Sequence, residues 1–266
     1  MEILKLKNDI VKWLKDYADD AEIDTFVVGV SGGIDSAVVE RLCELTDKRV
    51  ICVAMPMNVA EDSNPKSLRL AQSLCYNSDG SRPNVEFNIV QIDLILDAYN
   101  NEYIGESQLS GGNLRSRIRA NILYDYAGES NGLVVGTGNL DEEKIGYCTK
   151  GGDCLVDLFP LSQIHKSTVY KLAAILDIPF DIIYAIPTAG LWDGQTDAEE
   201  LGMVYDEVEW AIRWDDRVFN DKNTKTILEG SLEIRQIEVL KMVRDRCKKN
   251  AHKLKYPPIF NLTEQK

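Results

Sequence analysis

Histidine is scarce in this chain. Its 266 residues hold only His165 and His252, which weakens both a zinc centre built on imidazoles and a histidine-based hydrolase. Long apolar runs are missing, so no segment has the length of a membrane span and no membrane partner is expected. Positive charge is in deficit: 30 Lys and Arg stand against 43 Asp and Glu, a net charge of -13. Such a surface repels phosphate backbones, so nucleic acid is not the expected partner. A small anion in a local basic pocket stays compatible with it. None of the six cysteines, Cys43, Cys52, Cys75, Cys148, Cys154 and Cys247, belongs to a C-x-x-C pair. The opening MEILKLKNDIVKWLKDYADD reads as an acid-bearing amphipathic helix and not as a secretory leader. A cytoplasmic protein with free thiols is expected. Internal repeats and low-complexity linkers are also absent, and residues 1–266 are expected to form a single domain.

What is present is alternation. A continuous apolar run at 25–30 and the stretches 49–55, 85–92 and 132–139, the last with a glycine-rich exit, read as strands. Between and around them, helical spacing marks 3–18, 65–75, 94–101, 114–127, 166–176, 205–216 and 231–250. Strands without polar alternation, separated by helices, predict an α/β fold, Rossmann-like, with a parallel sheet, helices on both faces and a helical C-terminal extension. Ligands on such sheets bind beyond the carboxyl ends of the strands. The loops 31–36, 56–64 and 136–146 leave strand ends and are expected to converge there. The segments 77–84 and 106–113 read as loops. Residues 186–203 read as a long functional loop, with 190–200 as a lid over the site.

The first strand runs into Ser31-Gly32-Gly33-Ile34-Asp35-Ser36 and then a helix. Unpaired N–H groups at a helix start bind anions, and glycines let a phosphate approach the backbone. Ser31 and Ser36 add hydroxyl donors. A carboxylate beside phosphates is repulsive unless a cation lies between them, which marks Asp35 as a magnesium ligand. A plain tight turn with Asp35 as a helix cap is the bland alternative. Neither G-x-x-x-x-G-K-[ST] nor G-x-G-x-x-G is matched.

VSGGIDSA resembles the pyrophosphate loop of the adenylating ATP pyrophosphatase superfamily, whose fold is adenine nucleotide alpha hydrolase-like. Three later stretches, GGNLRSRIR (111–119), GTGNLDEEKIGYCTKGGDCLVDLFPL (136–161) and IPTAGLWDGQTDAEELG (186–202), resemble the ammonia-dependent NAD synthetases. The likeness runs from about residue 25 to 210, and weakly to His252-Lys253. It implies a ligase that adenylates nicotinic acid adenine dinucleotide with ATP and Mg2+. Ammonia then displaces AMP to give NAD, with pyrophosphate as the other product.

The resemblance also implies roles. Ser31, Gly32, Gly33, Asp35, Ser36, Arg119, Thr137, Lys166 and Thr188 would hold ATP. Asp35 and Glu142 would hold the metal. Asn113, Arg117, Lys150, Asp157, His252 and Lys253 would bind the dinucleotide. Asp35, Lys166, Thr188 and Asp153 would carry catalysis, with Asp153 near the ammonia path. The resemblance further implies a homodimer with the helix 113–126 at the boundary, where Ile118, Ile122 and Leu123 serve either that interface or the monomer's core. Only 24 residues precede the first strand, too few for a glutaminase domain, so free ammonia is the expected donor unless a separate subunit supplies it. The run Thr149-Lys150-Gly151-Gly152-Asp153-Cys154 departs from the pattern: an aromatic is missing after the lysine, and Cys154 replaces a glycine. Two rivals remain: another amide- or thio-transfer enzyme of the superfamily, and a nucleotide sensor without catalysis. The former would want basic charge and paired cysteines, and the latter could lose Asp35 and Glu142.

Overall fold

The computed structural model describes residues 2–57, 66–76, 82–102, 107–192, 194–218 and 232–260. Helix α1 (Ile3–Asp20) precedes β1 (Thr25–Gly29), α2 (Ile34–Glu44), β2 (Arg49–Ala54), α3 (Lys66–Cys75), β3 (Val85–Ile89) and α4 (Asp93–Glu102). Next come α5 (Gln108–Ser130), β4 (Gly132–Val135), α6 (Leu140–Ile145), α7 (Lys166–Ile175), α8 (Phe180–Ile183), α9 (Asp197–Leu201) and α10 (Tyr205–Val218). The last described helix, α11, spans Ile234–Asn250.

The four strands form one sheet in the order β3-β2-β1-β4, and every pairing is parallel. Side chains alternate between its two faces, as the period of two requires. Phe26, Val28, Val50, Cys52 and Ala54 enter one core with α1, α2 and α7. Val27, Ile51, Val53 and Val134 enter the other, beneath α4 and α5. Burial on both faces explains why β1, β2 and β4 show no polar alternation, whereas the edge strand β3, Val-Glu-Phe-Asn-Ile, does alternate. A third cluster joins Ile145 of α6 to α9, α10 and α11 through Leu201, Val208, Ile212, Val239 and Leu240. This is the expected helical extension.

Several expected boundaries move. β4 spans Gly132–Val135 and residues 136–139 are its glycine-rich exit, where Gly136 lies against the Phe159 ring, 2.6 Å from any added Cβ. β3 ends at Ile89, and Asp93 already starts α4. Helix α5 begins at Gln108 and not at 114: the Ser107 hydroxyl accepts the Ser110 N–H and caps it. Its Gly112 is tolerated because Trp192 and Leu191 pack where a side chain would project. The long loop 186–203 contains the short helix α9, capped by Thr196. Most of the expected loop 56–64, residues 77–81 of the loop 77–84, and residue 106 lie outside the described residues.

The expectation of six free thiols is wrong for two of them. Cys148 and Cys154 form a disulfide. The turn between them accounts for it, since Thr149 carbonyl accepts the Gly152 N–H at 2.9 Å and folds the two cysteines together. Cys43, Cys52, Cys75 and Cys247 are free.

Candidate active site

The strand order sets the location. From β1 the chain steps outward to β2 and β3, then crosses back to place β4 on the other side of β1. The crevice between the carboxyl ends of β1 and β4 is therefore the topological switch point. Two loops enter it, 31–36 after β1 and 136–139 after β4.

In the first loop Gly32 has φ +80°, and a Cβ there would lie 2.5 Å from the Ser67 carbonyl oxygen. Only glycine meets both conditions. Ser36 Oγ donates to the Gly33 carbonyl at 2.9 Å and lies 3.2 Å from Ser31 Oγ. Gly33 occupies the cap position of α2 without a side-chain cap, so the helix start is left open toward the crevice, as an anion requires. The reading of Asp35 as a mere cap is not supported. Its Oδ1 accepts from Asn139 Nδ2 at 3.2 Å, and its Oδ2 accepts from Lys166 Nζ.

Asn139 ties the second loop to the same place. It caps α6, accepting the Asp141 and Glu142 N–H groups at 3.0 and 3.2 Å, while Glu142 Oε2 accepts the Asn139 N–H. This capping box orients Glu142. Tyr205 OH contacts Glu142 Oε1 at 2.8 Å and Asp197 Oδ2 at 2.9 Å. A phenol has one proton to donate, so both contacts are hydrogen bonds only when one carboxyl is protonated. Burial first, and then the charge of Asp35, push Glu142 up to about 8. Lys166, the first residue of α7, is buried. Burial alone would lower its ammonium, but Asp35 and Glu142 outweigh that and hold its pKa above the ordinary value. Its Nζ also lies 4.7 Å from the centroid of the Tyr205 ring.

A second cluster adjoins the first. Along α5, Asn113, Ser116 and Arg117 share a face. Asn113 Oδ1 accepts from Thr149 Oγ1 at 2.8 Å, Ser116 Oγ donates to Asp153 Oδ1 at 2.8 Å, and Arg117 Nε donates to the Lys150 carbonyl at 3.2 Å. The C-terminal end of α11 closes this cluster. Lys253 Nζ donates to the Gly146 and Cys148 carbonyls at 2.9 and 2.8 Å, and Lys150 Nζ reaches the His252 carbonyl at 3.5 Å. Arg119 sits between the clusters. Its guanidinium donates to the Met55 carbonyl at the end of β2 and to the Gly190 carbonyl. Burial, and then Arg115, lower it to about 10, so an anion beside it would be favoured.

The remaining expected site residues are less engaged. Thr137 is half-buried in the exit of β4. Thr188 is exposed and accepts the Gly190 N–H at 3.1 Å. Asp157 bonds both to the Val134 N–H, at 2.8 Å, and to Tyr124 OH, at 3.2 Å, which anchors it to the sheet edge. Trp192 covers Gly112, and Trp210 packs on Trp214, so both serve packing. Asn139, Asp141, Ser116 and Tyr205 were not foreseen. Asn139-x-x-Glu142 is a capping-box signature and was readable, and Ser116 falls on the Asn113 face. Tyr205 carries no local signal, because it arrives from 63 residues beyond Glu142.

Among the described residues, one group of three has metal-ligand atoms within 4.8 Å of one another: Asp141, His165 and Glu209. Its acceptors are already engaged. Asp141 contacts His165 Nδ1 and the Lys166 N–H, and Glu209 accepts from Ser167 and Arg213. It is a clamp between α6, α7 and α10. Asp35 and Glu142 are the carboxylates that lie at the switch point beside the open start of α2, and these could hold a cation there. Burial and mutual repulsion raise Glu142, so a divalent ion between two carboxylates would relieve both.

A family model described as NAD synthase matches residues 6–257. The chain belongs to the NAD synthase family. An NH(3)-dependent NAD(+) synthetase of Campylobacter jejuni subsp. doylei is 33% identical over 98% of this chain and 100% of its own length. One from Methanosarcina acetivorans is 36% identical, with 98% and 100% covered. Among solved structures, the NH3-dependent NAD synthetase of Campylobacter jejuni subsp. jejuni, in complex with the nitrate ion, superposes with a TM-score of 0.78 at 29% identity, covering 98% and 100%. The NMN synthetase of Francisella tularensis gives 0.79 at 29% identity, again with 98% and 100% covered. NAD synthase family members thus share this chain's sheet and its helical extension, and no helix among the described residues is long and apolar enough to cross a membrane.

Proposed function

We propose that this chain makes NAD from nicotinic acid adenine dinucleotide and ammonia, cleaving ATP to AMP and pyrophosphate. The observation that carries the reading is the meeting of Asp35, Glu142 and Lys166 at the switch point, directly beside the open start of α2. Two carboxylates, a buried cation and a bare helix N-terminus are what a triphosphate with its metal ion needs.

A carboxylate resists attack by ammonia because oxide is a poor leaving group. In the first step a substrate carboxylate oxygen attacks the α-phosphorus of ATP and the bond to the bridging oxygen breaks, releasing pyrophosphate. In the second, ammonia attacks the acyl carbon and AMP departs with one carboxylate oxygen. Ser31, Gly32, Gly33 and Ser36 cradle the departing phosphates. Lys166 leaves Asp35 for those phosphates and neutralises the charge that develops on them, assisted by the Thr188 hydroxyl. Asp35 and Glu142 would hold Mg2+, which when bound shields the pyrophosphate charge. Arg119 and Thr137 hold the rest of ATP. Asn113, Arg117, Lys150, Asp157, His252 and Lys253 bind the dinucleotide, and Asp153 lies near the ammonia path. The 190–200 segment covers the site. Its link to α5 through Arg119 and Gly190 supports that role.

We infer a homodimer as well. Ile118 is buried and Leu123 packs on Gly29, so these two serve the monomer's core. The reading rests on the likeness of the helix 113–126 to the family's subunit boundary. Sedimentation at micromolar concentration checks it, and a lone 29.9 kDa species contradicts it.

The test is an omission series with Mg-ATP, ammonium and the dinucleotide, reading NAD and AMP together. Both products appear only in the complete mixture if the proposal holds. Amidation of the corresponding mononucleotide in preference would reassign the acceptor, and no amide from either would overturn the reading.

A further inference from the structure

The Cys148–Cys154 disulfide closes a ring around five residues, Thr149 to Asp153. Those residues seat the loop on α5. Asp153 Oδ1 accepts both the Thr149 N–H and the Ser116 hydroxyl, each at 2.8 Å. Gly152 lies so close to Ser116 that a Cβ would stand 2.3 Å from its Oγ, and Gly151 turns the chain at φ +73°. One end of the ring is held independently, by Lys253 on the Cys148 carbonyl. At the Cys154 end, the N–H reaches the Thr149 carbonyl at a long 3.5 Å. The neighbours of Cys154 are held more closely, Asp153 N–H on Ser116 Oγ at 3.0 Å and Leu155 N–H on the Gly152 carbonyl at 2.8 Å, so the disulfide adds its restraint at Cys154 itself.

The other cysteines differ in accessibility. Cys43, Cys52 and Cys75 are buried and Cys247 is half-buried but has no disulfide partner, whereas Cys148 and Cys154 are half-buried and bonded to each other at the rim of the second cluster. A small reagent can reach the pair.

We propose that Cys148 and Cys154 are a thiol–disulfide exchange site, taking low-molecular-weight disulfides and thiols as reactants, that sets the affinity for the dinucleotide. The inference rests on the assignment of Lys150 to the dinucleotide pocket. The chemistry balances without a metal. One cysteine thiolate attacks a small disulfide and expels one small thiolate, leaving a mixed disulfide. The second cysteine thiolate then attacks the protein sulfur and expels the other. The protein gives up two electrons and two protons, and the small disulfide becomes two thiols. With the bond formed, the loop is ordered before substrate arrives, and binding does not have to order it. With the bond broken, the loop is held only by its hydrogen bonds to Ser116, Arg117 and its own backbone, so it samples more conformations that substrate must narrow, and affinity falls. Among the described residues, no hydrogen bond of the ring reaches Asp35, Asn139, Glu142 or Lys166, the residues assigned to ATP and its metal.

The test equilibrates the full chain in glutathione buffers from fully reducing to fully oxidising. Alkylation and peptide mass report the state of the pair. The dissociation constants of the dinucleotide and of ATP are measured by calorimetry on the same samples. Reduction is expected to weaken dinucleotide binding about threefold or more, reversibly, with ATP affinity changed less than about twofold. Cys148→Ser and Cys154→Ser are expected to hold the reduced value in every buffer. Equal dinucleotide affinity in both states overturns the proposal, as do tighter binding on reduction, a serine variant that still responds, or failure of this disulfide to form. NAD formation is followed separately. Its absence with a redox-dependent dissociation constant would overturn the functional reading alone, and no dinucleotide binding in either state would overturn both.

Discussion

Asp141 Oδ2 accepts the backbone N–H of Lys166 at 2.8 Å while its Oδ1 lies 2.6 Å from His165 Nδ1. This fully buried carboxylate precedes Glu142 by one residue and grips the residue that opens α7. It therefore sets the separation of Glu142 from Lys166. Asp141→Asn keeps one acceptor and loses the charge. Turnover is expected to fall about tenfold, with the dinucleotide KM changed less than about twofold. Asp141→Ala, which leaves the Lys166 N–H and His165 without a partner, should cost about 3 kcal/mol of stability as well. Steady-state kinetics and thermal melts of the two variants check this. An unchanged turnover in Asp141→Asn would remove the positioning role.

Lys166 is the buried cation between Asp35 and Glu142. Lys166→Ala is expected to slow pyrophosphate release by about 100-fold or more, the usual loss on removing a group that meets developing charge. Dinucleotide affinity should not move, because Lys166 belongs to the other cluster. Rapid-quench measurement of pyrophosphate beside equilibrium binding separates these. An equal burst with and without Lys166 would take it out of the site.

Asp35→Asn changes charge with little change of shape. It is expected to abolish turnover and leave the melting temperature close to wild type. Glu142→Gln should raise the magnesium concentration needed for half-maximal rate. Magnesium titrations of both variants are the check, and a near wild-type rate for Asp35→Asn at limiting magnesium would refute the metal assignment.

Glu40 gives a stability signal far from the chemistry. Its side chain pairs with Arg82 through one oxygen and leaves the other without a partner. Burial pushes it up from 4.5 to about 7, with Arg82 opposing. The folded state then keeps a proton that the unfolded chain gives up near 4.5, so stability is lost as pH rises through that window. Glu40→Gln removes the loss. The stability of the variant relative to wild type should climb between pH 4.5 and about 7 and then level off, by about 1–3 kcal/mol in all. Urea unfolding across that range measures it, and a pH-independent difference would contradict it.

The sheet was legible because a strand buried on both faces must be apolar throughout, as Phe26 to Val28 are. Asp35 was legible because a carboxylate in a glycine turn has few structural uses. The start of helix α5 is hidden because Gly111 and Gly112 read as loop, while the packing on Gly112 comes from Trp192, 80 residues away. The disulfide was missed because spacing does not reveal whether a loop turns back on itself. Tyr205 and Asp141 act through groups distant in sequence or through backbone N–H groups, and neither leaves a pattern along the chain.

The most direct measurement uses nicotinic acid adenine dinucleotide labelled with 18O in the nicotinate carboxylate, incubated with Mg-ATP, ammonium and the full chain. Mass spectrometry of the products reads the fate of the label. Attack of the carboxylate on the α-phosphorus predicts one labelled oxygen in the phosphate of AMP for each NAD formed, and none in pyrophosphate. NAD formed with unlabelled AMP would contradict adenylation of the carboxylate, and with it the roles given to Asp35, Glu142 and Lys166.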